Sequence, residues 1–206
     1  MEARLDAQRL RDLLPELADH LRSRERVFPA LLPAYRRFVA SVEPPSRTMS
    51  LEVAAFLCDL CDRRRPQRVL ELGTGFGSAV LRRRAGAADL HVFSADDDVQ
   101  RLARTREFLG REGLSTERLF SWQEFVASRE SDFELVYHPL DAACGPSLAV
   151  ALEKVAAGGF VLLDGAQDPA AERTARRLLD SLGAEQWSLR ALTRDCYGRH
   201  ALLAQR

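Results

Sequence analysis

Glu71-Leu72-Gly73-Thr74-Gly75-Phe76-Gly77-Ser78 places one carboxylate ahead of three alternating glycines. Glycine allows a tight turn and a close approach of backbone to a ligand. A helix opening after such a turn points unpaired N–H groups at whatever lies against the loop. Arg68 to Leu72, following Pro66, reads as a short buried parallel strand, and Ala79, Val80 and Leu81 resume as a helix. The chemistry of this arrangement is the binding of a nucleotide-type cofactor.

The spacing separates two cofactor classes. A nicotinamide or flavin fingerprint, G-x-G-x-x-G, requires glycine at position 78, where this chain has Ser78. The carboxylate of Glu71 repels a pyrophosphate and suits a ligand carrying an ammonium or sulfonium, such as S-adenosylmethionine. An oxidoreductase using a nicotinamide is therefore the weaker reading.

Length and composition bound the remainder. The 206 residues, 46% of them hydrophobic, suffice for one α/β domain with a helical extension. Acidic and basic residues number 30 each, so no net field favours nucleic acid or an anionic membrane. No run of eighteen apolar residues occurs, and the charged start Met1-Glu2-Ala3-Arg4-Leu5-Asp6 does not resemble a signal peptide, which predicts a cytoplasmic protein. Cys58, Cys61, Cys144 and Cys196 form no disulfide framework, and the C-x-x-C of the first two falls within an expected helix with no second pair for zinc. The runs Arg63 to Arg65 and Arg82 to Arg84 lie near helix ends, where they complement the helix dipole.

The elements that position the loop follow from periodicity. Leu10, Leu13, Leu14, Leu17 and Leu21 predict a helix kinked or split at Pro15; Leu32, Tyr35, Phe38 and Val39 predict another, closed by Glu43-Pro44-Pro45-Ser46. Residues 1–48 thus read as a helical cap, and 49–206 as the core domain. Ser50 caps an amphipathic helix through Val53, Phe56, Leu57 and Leu60. Strands are expected at Leu90 to Ala95, Arg118 to Ser121, Glu134 to His138 and Phe160 to Leu163. They alternate with helices through Val99, Leu102, Ala103 and Leu109, through Leu148, Leu152 and Val155, and through Ala175, Leu178, Leu179 and Leu182. Trp187 to Leu192 and His200 to Ala204 are strand-like and joined too closely for a crossover helix, so they should pair antiparallel. The expected fold is Rossmann-like and doubly wound, a mostly parallel seven-stranded sheet with a C-terminal antiparallel hairpin.

Over residues 49 to 206 the chain resembles the class I S-adenosylmethionine-dependent methyltransferases. Met49-Ser50-Leu51-Glu52, an apolar helix and then Glu71-Leu72-Gly73-Thr74 look like the entry segment of small-molecule O-methyltransferases of the catechol and caffeoyl-coenzyme A type. The resemblance implies methyl transfer from S-adenosylmethionine to a small molecule, at oxygen. It implies that Gly73, Gly75 and Gly77, with Thr74 and Ser78 in the same loop, wrap the methionyl part of the cofactor near Glu71. Asp96, with Asp97 beside it, contacts the ribose, since a carboxylate there can accept from both hydroxyls; helix capping is the competing role. Trp122 is placed to contact adenine or to pack. Related enzymes use an N-terminal extension to cover the substrate or to form a homodimer.

For catalysis the family places an acid after the fourth strand, but here the segment is Leu135-Val136-Tyr137-His138-Pro139-Leu140-Asp141. His138 becomes the candidate base or acceptor-orienting group, with Asp141 behind it. A divalent metal is not expected. Asp164 occupies one ligand place, but Gly165 follows where Asn or Asp would be needed, and the other acid is displaced to Asp141. His20, His91 and His200 read as structural. The missing acid also leaves open a non-catalytic member that binds S-adenosylmethionine as a sensor or partner subunit.

Overall fold

Ser50 starts the core as its residue type suggests: its side chain accepts from the Val53 amide at 3.1 Å and opens a helix whose middle is buried from Val53 to Cys61. The computed structural model describes residues 20–86, 89–141 and 144–206. The segment expected as a helix through Leu10, Leu13, Leu14 and Leu17, with Pro15, lies outside the described residues.

In chain order the elements are α1 (His20–Ser41), α2 (Leu51–Arg64), β1 (Arg68–Leu72), α3 (Phe76–Ala85), β2 (His91–Asp96), α4 (Val99–Arg111), β3 (Leu119–Ser121) and α5 (Trp122–Ala127). They continue with β4 (Phe133–Pro139), α6 (Gly145–Glu153), β5 (Val155–Asp164), α7 (Pro169–Ser181), β6 (Glu185–Ser188), α8 (Arg190–Thr193) and β7 (Ala201–Gln205). The strands form one seven-stranded sheet in the order β3-β2-β1-β4-β5-β7-β6. The first five strands pair in parallel, and β7 runs antiparallel to both β5 and β6. The doubly wound sheet and the terminal antiparallel pair are as the sequence predicts.

Alternation of side chains divides the core into two layers. Val69, Val92, Leu135, Tyr137, Leu162 and Leu203 face α1 to α4. Leu70, Phe93, Val136, Val161 and Leu202 face α5 to α7. α1 joins the first layer through Leu31, Ala34 and Phe38, so the described part of the cap is packed onto the domain.

Three local expectations differ from the structure. Val155 starts β5, because Lys154 caps α6 and Val155 pairs with Phe133; a register shift follows, and Gly158, at φ +76°, takes up the irregularity. Leu182 follows the last turn of α7 and is exposed, with its amide capping Leu179 and Asp180. The strand expected from Trp187 to Leu192 stops at Ser188. Leu189 is fully buried, and the Thr193 hydroxyl donates to its carbonyl at 3.0 Å, turning the chain into the short α8. No helix among the described residues is long and apolar enough to cross a membrane.

Candidate functional site

The glycine loop runs from β1 into α3 at the C-terminal edge of the sheet, beside the junction where β1 has β2 on one side and β4 on the other. Crevices of this kind hold the ligands of open α/β sheets. Gly73 has φ +73°, and a Cβ there would stand 2.8 Å from the Pro139 ring, so this turn admits only glycine. Gly77 is closed to a side chain for a different reason. Its Cβ would meet Glu71 Oε1 at 2.6 Å and Met49 Cε at 2.8 Å.

Glu71 lies beneath the loop, fully buried. Its Oε2 accepts from the Ser78 hydroxyl at 2.5 Å and the Ser94 hydroxyl at 2.7 Å, while Oε1 has no partner among the described residues. Ser78 also accepts from the Gly75 amide at 3.2 Å, linking the carboxylate to the loop backbone. Burial raises the Glu71 pKa to about 7 against the opposing pull of Arg82, Ser78 and Ser94. A buried carboxylate oxygen without a donor is a costly group, and a ligand cation would relieve it.

Asp96 ends β2 with its side chain fully buried. Oδ2 accepts from the Thr74 amide at 2.6 Å, the Thr74 hydroxyl at 2.5 Å and Arg101 Nε at 2.8 Å. Oδ1 accepts from the Asp98 amide at 2.9 Å and Arg101 Nη2 at 2.7 Å. Capping of α4 falls to Asp98, which accepts from the amides of Gln100 and Arg101. Asp97 is exposed.

A cavity of about 200 Å³ opens beside the loop, lined by Gly73, Asp97, Arg101 and Trp122 on one side and by His138, Asp141, Cys144 and Ser147 on the other. Trp122, Asp97, His138 and Asp141 therefore share one cavity with Gly73, whereas Glu71, Thr74, Gly75, Gly77, Ser78 and Asp96 do not line it. His138 is buried there; its Nδ1–H donates to the Pro139 carbonyl at 2.5 Å, and its Nε2 lies 2.9 Å from the Ser147 hydroxyl, for whose single hydrogen it competes with the Cys144 carbonyl at 3.0 Å. Burial lowers its pKa, against the raising effects of the Pro139 carbonyl and Asp141, which favours the neutral ring.

Thr74, Gly75, Phe76, Gly77 and Ser78 are all buried. Met49 lies over Gly77, and Phe38 and Glu43 lie over Gly75. The connector that carries Glu43 and Met49 is held by Arg199, which donates to the carbonyls of Pro45, Ser46 and Thr48.

On the opposite face of β4 from His138, the Tyr137 hydroxyl donates to Asp164 at 3.1 Å. Burial raises the Asp164 pKa to about 6. This pair and the Arg101 grip on Asp96 were not anticipated from sequence, although strand alternation separates Tyr137 from His138. Among the described residues no group of three His, Cys, Asp or Glu side chains is arranged to hold a metal ion.

Comparison with solved structures finds the same architecture. Cofactor-bound Rv0187 from MTB matches with a TM-score of 0.65 at 23% identity, over 86% of this chain and 88% of that one. The fold is that of S-adenosylmethionine-dependent O-methyltransferases. A proposed O-methyltransferase from Klebsiella pneumoniae gives a TM-score of 0.69 at 19% identity, covering 88% of this chain and 94% of that one. TomG, an O-methyltransferase from Streptomyces achromogenes involved in tomaymycin synthesis and solved with S-adenosylmethionine, gives 0.61 at 18%, covering 84% and 85%. No protein-family model and no curated protein sequence matches the chain. At these identities the likeness establishes the fold, and the chemistry rests on the residues of the site.

Proposed function

We propose that this protein transfers a methyl group from S-adenosylmethionine to a small-molecule acceptor, at oxygen. The observation that carries the reading is the oxygen of a fully buried Glu71, unpartnered among the described residues, against Gly77 in the loop that opens α3. A pyrophosphate would be repelled there, whereas an ammonium or sulfonium supplies the missing positive charge. Trp122 offers a face for adenine across the adjoining cavity, and Asp97 an acid for the ribose, with Asp96 buried behind it and available once Arg101 releases it. The S-adenosylmethionine bound to TomG, which shares the fold, supports the reading.

S-Adenosylmethionine supplies an electrophilic methyl carbon, and the protein aligns donor with acceptor and accepts the acceptor's proton where one is lost. His138 suits the role of proton acceptor, because its ring is oriented by the Pro139 carbonyl and an acceptor hydroxyl would take the place of Ser147 at Nε2. Asp141, exposed at the cavity, favours the imidazolium so formed. Ligand cavities commonly span roughly 300 to 1,000 Å³, and the cavity of about 200 Å³ takes only the adenosine end unless the connector over the loop shifts.

That covered loop favours one second reading, a non-catalytic adenosyl-ligand sensor. Calorimetry with S-adenosylmethionine, S-adenosylhomocysteine and NAD, followed by transfer of labelled methyl to a panel of phenols, catechols and carboxylates, separates the readings. Binding of NAD alone sinks both; adenosyl binding with no transfer to any acceptor favours the sensor.

A further inference from the structure

We propose that Glu43, from the connector between cap and core, is the carboxylate that receives the amino group of the adenosyl ligand's amino-acid arm. The inference rests on the reading of the loop as an adenosylmethionine site. Each glycine of the loop faces a different charged group. A Cβ at Gly73 would come within 4.0 Å of Arg101 Nη2, one at Gly75 within 4.0 Å of Glu43 Oε2, and one at Gly77 within 2.6 Å of Glu71 Oε1. The adenosine cavity reaches Gly73. An arm extending from it along the loop, as the connector yields to admit it, meets Glu43 next.

The charges around the loop do not balance. Arg101 is committed to Asp96, and Arg82 donates to Ser94 and to the Glu117 carbonyl. Glu43 has no side-chain hydrogen bond or ion pair among the described residues, yet it is half-buried. Arg101 is the strongest cation acting on it, ahead of Arg47 and Arg104, but all three act only at a distance; Arg101 is paired to Asp96, and Arg47 and Arg104 are exposed. Glu71 adds a second carboxylate oxygen with no donor. Two under-satisfied acids beside a loop of small residues call for a cation with several N–H donors, as an ammonium provides. The β4 end cannot provide the acid, since it carries His138 and Pro139.

The test compares three ligands by calorimetry on the full chain: S-adenosylmethionine, S-adenosylhomocysteine and 5′-methylthioadenosine, which keeps the adenosyl thioether and lacks the amino-acid arm. Glu43→Gln should weaken the first two by at least about ten-fold, as loss of a charged hydrogen-bond partner does, and leave the third within about two-fold. Thermal melts should show the variant folded, since the substitution removes an unpaired carboxylate. Equal affinities of wild type and variant for all three ligands, or an equal loss for all three, overturn the role of Glu43. A wild-type protein that binds none of the three overturns the adenosylmethionine reading itself.

Discussion

Arg101 grips Asp96 with two parallel hydrogen bonds, Nε to Oδ2 at 2.8 Å and Nη2 to Oδ1 at 2.7 Å. With Thr74 and the Asp98 amide, Asp96 already accepts five hydrogen bonds, against the roughly four lone-pair sites of a carboxylate. A ribose diol can join only if Arg101 lets go, and Asp97, 3.6 Å from Arg101 Nη2, is placed to take the guanidinium over. Arg101→Met should therefore tighten adenosyl-ligand binding by about five-fold while lowering stability by about 3 kcal/mol, because a buried carboxylate loses its counter-charge. Calorimetry and denaturant melts measure the two effects. Unchanged affinity would move the ribose from Asp96 to Asp97.

Gly77 carries a different constraint. An added methyl would overlap Glu71 Oε1 and Met49 Cε, and Glu71 cannot yield because Ser78 and Ser94 hold its other oxygen. Gly77→Ala should cost about 1 to 3 kcal/mol, as overpacking a tight core does, and abolish adenosyl-ligand binding. A variant as stable as wild type and still able to bind would mean that this side of the loop is looser than the structure shows.

How much of this could be read from the chain depends on how local each feature is. The strand, the glycines and the Ser50 cap are runs of a few residues whose spacing has one structural meaning, and all three are present as expected. β6 misled because Leu189 and Leu192 satisfy an apolar strand as well as one turn of helix; the Leu189 carbonyl, which accepts from the amides of Leu192 and Thr193 and from the Thr193 hydroxyl, decides for the helix. Glu43 and Arg199 lie 32 and 122 residues from Gly75 and Gly77 in sequence, respectively, and reach the loop only through the packing of α1 and the terminal hairpin. Tyr137 was legible in principle, since it is adjacent to His138 on one strand and must face the other layer.

The pH dependence follows from Glu71. Its folded pKa of about 7 exceeds the ordinary 4.5, so the folded state binds this proton more tightly than the unfolded chain. The resulting destabilisation is complete above pH 7 and relieved as pH falls toward 4.5, a total of about 3 kcal/mol. Arg82 and Ser78 from α3, Ser94 and Asp96 from β2, and Tyr137 from β4 face the group, and among them Arg82, Ser78 and Ser94 oppose the rise. Asp164, raised to about 6, adds a slope of the same sign at lower pH. Wild type should thus gain stability between pH 8 and 5.5 relative to Glu71→Gln, while its affinity for S-adenosylmethionine falls as the carboxylate is protonated. Parallel denaturation profiles of the two proteins would remove Glu71 from the account.

Arg199 decides whether the connector covers the loop. Its Nη1 donates to the Ser46 and Thr48 carbonyls, both at 2.9 Å, Nη2 donates to Pro45 at 3.2 Å, and Nε donates to Asp195 at 2.7 Å. Asp195 is itself fixed by the amides of Tyr197 and Arg199. The terminal hairpin thereby holds the segment that carries Glu43 and Met49, whose own local bonds run from the Thr48 hydroxyl to the Glu43 and Pro44 carbonyls and from the Arg47 and Thr48 amides to the Pro44 carbonyl. Arg199→Met should cost about 2 kcal/mol of stability and speed amide exchange at the non-proline residues of 43–50 by at least about ten-fold, with exchange in β4 and β5 little changed. Arg199→Lys should rescue poorly, because an ammonium cannot span three carbonyls and a carboxylate in one plane. Binding should separate by ligand: S-adenosylmethionine weakens as Glu43 loses its place, while 5′-methylthioadenosine, held at the cavity of Trp122 and Asp97, does not. Exchange confined to wild-type rates along the connector would show that the segment holds itself over the loop without the arginine.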